Sequence, residues 1–256
     1  MKHVLARLVP LILSPLLMGQ AKPVLIPDVS QRDIEIKYSF TGAELLLFGA
    51  ILYPGGRLPE PGHRTDIVIV LKGPAQSIVI REKEKVAGIW VNAQALRYRS
   101  APSFYAIASS RPIDRLVDAR TRAIYELGLD SLQLSPASNA VSAVQDRFTR
   151  GLVEQRRRTG LFVEAPGAVE ITGDVLYRAR LTIPARVPVG RFTAETFLIR
   201  DGRVLAAAVR DIDVRKTGFE RFVTRAADRH AILYGLSAVA LSALLGWGAG
   251  RFARRT

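Results

Sequence analysis

The feature that most constrains this chain is the stretch from Ala231 to Gly250, twenty residues reading AILYGLSAVALSALLGWGAG without a single charge. At the rise of an α-helix such a run reaches about 30 Å, the thickness of a bilayer's hydrocarbon core. Tyr234 and Trp247 stand near its two ends, where amphipathic rings favour the membrane–water interfaces, and Arg251, Arg254 and Arg255 follow it. The expectation is a transmembrane helix over 231–250 with a cytoplasmic basic tail over 251–256. A buried core helix is the alternative reading.

The other end of the chain bears on orientation. Residues 1–21 open with Lys2 and Arg7, continue through LVPLILSPLLM and close on Gly19-Gln20-Ala21. A short apolar core with small residues before the break reads as an export signal, with an uncleaved anchor as the alternative. Counting cations beside the span gives the opposite hint, because Arg215, Lys216, Arg221, Arg225 and Arg229 precede it and only three arginines follow. Export of the N-terminus decides the expected topology: inner membrane, single pass, body in the periplasm, C-terminus in the cytoplasm.

The formal net charge is +14 and the chain has no cysteine. The excess is concentrated beside the apolar stretch and is thin elsewhere, without an aromatic-and-basic stripe, so a phospholipid surface suits it better than nucleic acid. Without cysteine there is no disulfide, thiolate metal site or cysteine nucleophile.

Between the two ends the texture is β, then helical, then β. Over 22–112 the runs DIEIKYS (33–39), ELLLFGAIL (44–52), IVIVL (67–71), SIVIREKEK (77–85), GIWVNA (88–93) and SFYAIAS (103–109) read as strands. IVIVL has the unbroken apolarity of a strand covered on both faces. SIVIREKEK, with alternating charges, suits a solvent-facing one. Their number and spacing point to an immunoglobulin-like β-sandwich. Over 113–160 the period becomes helical, with Pro136 and Ser138 as a start signal for a second helix and Gly160 as its stop after Arg156-Arg157-Arg158. That arginine run reads as a solvated helix cap, with an anion site as the alternative. A second β region follows over 161–215, where Asp201-Gly202 marks a hairpin and Arg210 suggests a bulge nearby. Whether the two β regions make one sandwich or two stays open. In 216–230, Phe219, Phe222, Val223 and Ala226 line one helical face, with Arg221, Arg225 and Arg229 largely opposite. That pattern predicts a juxtamembrane amphipathic helix, with a plain linker as the alternative.

Catalytic and metal signatures are sparse. The histidines are His3, His63 and His230, too scattered for a ligand cluster, and Ser109, Ser110 and Ser142 sit in no nucleophile-elbow motif. Glu82 and Glu84 share a strand face, but Lys83 and Lys85 on the other make an exposed charged strand the plainer reading. No phosphate loop or dinucleotide fingerprint is present, so the expectation is a non-enzyme without cofactor or metal. What stands out instead is Ala238, Ser242, Gly246 and Gly250, a face of small residues at every fourth position that suits close helix packing.

With the apolar ends, the double β region, GDVLYRARLTIPARVPVGRF, the RDG hairpin, VRKTGFERF and LYG, the chain resembles the alphaproteobacterial transmembrane protein family. The resemblance implies an export signal, a periplasmic body, one C-terminal span and, as a partner class, permeases of the sulfite-exporter type. The expected function is that of a membrane-anchored binding or accessory protein that contacts membrane lipid and an integral membrane protein, not nucleic acid. The alternatives are a tethered solute- or polysaccharide-binding sandwich and, as a third class, an envelope hydrolase.

Overall fold

Alternation in the sequence becomes two facing sheets. The computed structural model describes residues 22–36, 42–56, 58–59, 64–137, 141–216 and 227–253. The export signal expected over 1–21, His63, Ser138, the tail 254–256 and, of the expected juxtamembrane helix, Phe219, Arg221, Phe222 and Arg225 lie outside the described residues. Among the described residues the chain is mainly β.

The first sheet is antiparallel throughout and joins β1 (Val24–Val29) and β3 (Ala43–Leu52) to two strands from the far end of the chain, Val169–Thr172 and Leu176–Ile183. In Leu176–Ile183 every second residue, Tyr177, Ala179, Leu181 and Ile183, is buried, and Arg178 and Arg180 point to solvent. That is how a strand with one covered face reads.

The second sheet has six strands. In spatial order they are β2 (Asp33–Ile36), Arg203–Lys216, Gly190–Arg200, β4 (Asp66–Lys72), Tyr105–Ser109 and Phe162–Pro166. Two of its pairings are parallel, Asp33–Ile36 on Asp213–Lys216 and Tyr105–Ser109 on Phe162–Pro166. In this the sheet departs from an all-antiparallel immunoglobulin-type sandwich. Numbered in chain order, the remaining strands are β5 (Ala75–Val86), β6 (Ile89–Pro102), β7 (Tyr105–Ser109), β8 (Ser135–Pro136), β9 (Phe162–Pro166), β10 (Val169–Thr172), β11 (Leu176–Ile183), β12 (Gly190–Arg200) and β13 (Arg203–Lys216).

Strand β4 explains its own composition. Ile67, Ile69 and Leu71 lie level with Leu198, Thr196 and Ala194 on the face turned to the first sheet. Val68 lies level with Phe197 on the outer face. That outer face is covered by the segment around α1 (Ala119–Tyr125): the Tyr125 ring meets the Phe197 ring edge-on at 5.4 Å, and the Tyr105 hydroxyl donates to the Glu126 carbonyl at 2.7 Å. Both faces are dry, so the strand is apolar without alternation. One core therefore holds residues of both β regions, from Leu25 to Val214.

The long hairpin β5–β6, with the short β8 on its edge, forms a third sheet. Ala87 and Gly88, both at positive φ (48° and 87°), make its tight turn. Helix α2 (Ser142–Arg158) lies against this arm and closes a second, small core of Phe148, Leu152, Leu96, Tyr98 and Ala101. It ends where expected, with Gly160 at φ 67°, while its start falls at Ser142 without a side-chain cap. The hairpin at Asp201-Gly202 is present, both residues at positive φ. The bulge falls at Leu205 of β13, opposite Leu198 and Ile199, rather than beside Arg210, whose guanidinium donates to the Pro27 carbonyl at 2.8 Å.

The C-terminal stretch corrects the sequence reading. A helix does form, α3 (Ala231–Ala253), yet among the described residues no helix is long and apolar enough to cross a membrane. Freedom from charge is a condition for a span and not a measure of one, since length and apolarity must both suffice. The expected transmembrane helix over 231–250 is not upheld.

Candidate functional site

The arm and α2 enclose the main concavity. On β5, Ile78, Ile80 and Glu82 are half-buried, while Val79 and Arg81 alternate with them and are exposed at the groove's edge. Phe148 and Leu152 of α2 close over the arm, where the Tyr98 hydroxyl meets Thr149 Oγ1 at 2.9 Å. Beside this contact an open groove of about 570 Å³ remains, with an apolar floor of Ile78, Ile80 and Phe148. Its rim is basic, carrying Arg81, Arg147, Arg156 and Arg186 against one carboxylate, Glu82.

The rim arginines differ in what they already hold. Arg147 is engaged, with Nη2 3.0 Å from Glu82 Oε2 and donating to Gln94 Oε1 at 2.9 Å. Its guanidinium also lies 5.7 Å from the Phe148 ring centre. Arg156 is half-buried and has no ion pair among the described residues, and burial holds its pKa below the usual arginine value. Arg186, on the loop between β11 and β12, is exposed at the rim and likewise has no ion pair among them. The arginine run at the end of α2 is thus split. Arg158 pairs with Glu154 at 2.8 Å on the solvent side, whereas Arg156 turns into the groove. Glu82, read as half of an exposed pair, is a groove residue, and Glu84 stays exposed.

Two other surfaces are unusual. All of Arg229 to Trp247 is exposed, including Ile232, Leu236, Val239 and Leu245. Ala238, Ser242, Gly246 and Gly250 follow one another along α3 at helical spacing. Ser242 Oγ donates to the Ala238 carbonyl at 2.9 Å, and a Cβ added at Gly246 or Gly250 would meet nothing. Tyr234 and Trp247 are exposed on the same helix, 39% and 68%. Arg229 precedes it, also exposed. The second surface, missed in the sequence, is the tip of the arm, where Val86, Ile89 and Trp90 stand out into solvent. The signal for it was the Ala87-Gly88 turn with large apolar residues on both sides, which leaves nothing to cover them.

Two polar groups elsewhere, the buried Asp66 and the half-buried Lys72, are occupied. Asp66 accepts from Ser110 Oγ at 2.7 Å and from Arg111 Nε at 2.9 Å, with Arg111 Nη2 on its second oxygen. A carboxylate so held by a guanidinium ties two strands together and is a poor base for the serine. Burial alone would pull the Lys72 ammonium down, but Glu126 at 2.8 Å and Glu195 at 3.2 Å outweigh it and hold its pKa above the ordinary lysine value. Among the described residues no group of three histidines and carboxylates is placed to hold a metal ion.

A family model described as "Putative transmembrane protein", of alphaproteobacterial proteins, matches residues 24–255 of the chain. No curated protein matches it.

Proposed function

The chain belongs to this alphaproteobacterial transmembrane-protein family, and we propose that it is a membrane-associated protein that works by binding rather than catalysis, as an accessory subunit of an integral membrane partner. In this reading the sandwich stands on the periplasmic side of the inner membrane. The partner class is a transport permease, with the sulfite-exporter type as the one implied by the family resemblance.

The observation that carries the proposal is α3. Apolar side chains are exposed over its whole described surface, so a protein or lipid environment must supply the cover that the body does not. Its line of small residues allows a partner backbone to come close. Asp66 with Ser110 and Arg111, and Lys72 with Glu126 and Glu195, meanwhile hold one another, which suits a stable platform more than a reaction centre.

The test is a tagged pull-down from membranes in mild detergent, comparing the native chain with one whose residues 231–250 are replaced by a neutral helix of Leu and Ala. A stoichiometric membrane protein recovered with the native chain and lost on replacement is the expected result. Equal recovery with both chains, or none with either, overturns the reading. Gly246→Leu should reduce recovery on its own.

A further inference from the structure

We propose that the groove between the β5–β6 arm and α2 binds an amphipathic anion, its apolar part on Ile78, Ile80 and Phe148 and its anionic head between Arg156 and Arg186. This goes beyond the docking of α3 and does not depend on it.

Three observations point the same way. The first is chemical complementarity: an apolar floor meets a rim whose cations exceed its single carboxylate, and that carboxylate is already held by Arg147. A ligand that is anionic at one end and apolar along the rest matches both parts at once. The second is Arg156 itself. It gives up water by turning into the groove and finds no counter-ion among the described residues, a cost that a bound phosphate or carboxylate offsets through paired N–H donors.

The third is Gly151. It sits in the middle of α2 and lines the groove, where glycine weakens a helix relative to alanine. No packing demand explains it, because a Cβ built there would meet no atom within 4 Å. An occupied groove supplies the reason: the bare backbone leaves room for the ligand's apolar part against the helix. Stability and binding should therefore respond in opposite senses at this one position.

The experiment uses the full chain in phosphatidylcholine nanodiscs, titrated with dodecyl phosphate and corrected for partition into empty discs. Saturable one-to-one binding is expected. Dodecyltrimethylammonium and a neutral dodecyl polyoxyethylene ether should fail to saturate. Gly151→Leu should abolish binding by filling the groove. Arg156→Gln with Arg186→Gln should weaken it at least tenfold. Gly151→Ala should raise the melting temperature by about 2–4 °C while weakening binding, which separates loss of the groove from loss of the fold. The proposal is overturned if dodecyl phosphate does not saturate, if the cationic or neutral amphiphile binds equally well, or if Gly151→Leu binds like the native chain. Phosphatidylglycerol added to the disc then separates the sources: competition assigns the head to a membrane lipid, and its absence assigns it to a free amphiphile.

Discussion

At Gly49 the first sheet shows how one missing atom positions another residue. Tyr177 of β11 lies directly across from Gly49 of β3, and its ring occupies the space a Cβ would need; that Cβ would collide with the Tyr177 hydroxyl and the Ile26 carbonyl. The tyrosine in turn is 2% exposed. Gly49→Ala should therefore destabilise the body by about 1–3 kcal/mol, as overpacking does, read from the urea midpoint. Burial pushes the Tyr177 phenol up to about 12, partly opposed by the Thr196 hydroxyl and by Arg210. The folded-state value lies above the unfolded one, so its contribution is intact below pH 10 and is lost as pH rises toward 12. Two units correspond to about 2–3 kcal/mol for so enclosed a group. Stability measured between pH 9 and 12 should fall, and Tyr177→Phe should make that fall shallower. Some fall should remain, because burial raises the Tyr105 phenol further still.

Among elements, the arm is the one whose neighbours differ most from what its sequence suggests. The alternating charges of 77–85 read as a solvent-facing strand, and the outer half of the arm is indeed exposed. Its inner half is not: Ile78 and Ile80 pack against the small core that α2 closes. Nothing in the local period shows that a helix beginning at Ser142 returns to cover it. Because this core is separate from the main one, Phe148→Ala should act locally. A loss of about 3 kcal/mol should appear as faster hydrogen exchange in 75–102 and 142–158, while β4 and β12 keep their protection. Uniform loss across the sandwich would show instead that arm and body unfold as one unit.

For the whole molecule, the sandwich is closed by strands far apart in the chain. β3 pairs with β11, β4 with β12, and β2 with β13, so neither β region completes a sheet without the other. Its core ends at Val214. A chain ending at Thr217 should accordingly fold and unfold cooperatively, with a melting temperature within a few degrees of the full chain, checked by calorimetry. It should also lose the membrane partner while keeping dodecyl phosphate binding, which would separate the two proposed activities physically.

What the sequence determined by itself is the local character of each stretch. Period two marked most strands, unbroken apolarity marked β4 as covered twice, Asp201-Gly202 marked a hairpin, and the shift to helical period marked α2, because these depend only on backbone geometry and the next few residues. The charge-free run at 231–250 marked a helix too, but absence of charge does not by itself make a span, and among the described residues no helix is long and apolar enough to cross a membrane. Only the tertiary structure decided which strands pair, that both β regions share one core, and that Arg156 turns into a groove while Arg158 faces water. Alternation says which side of a strand is buried but not against what. The partner is chosen by burial summed over the whole chain.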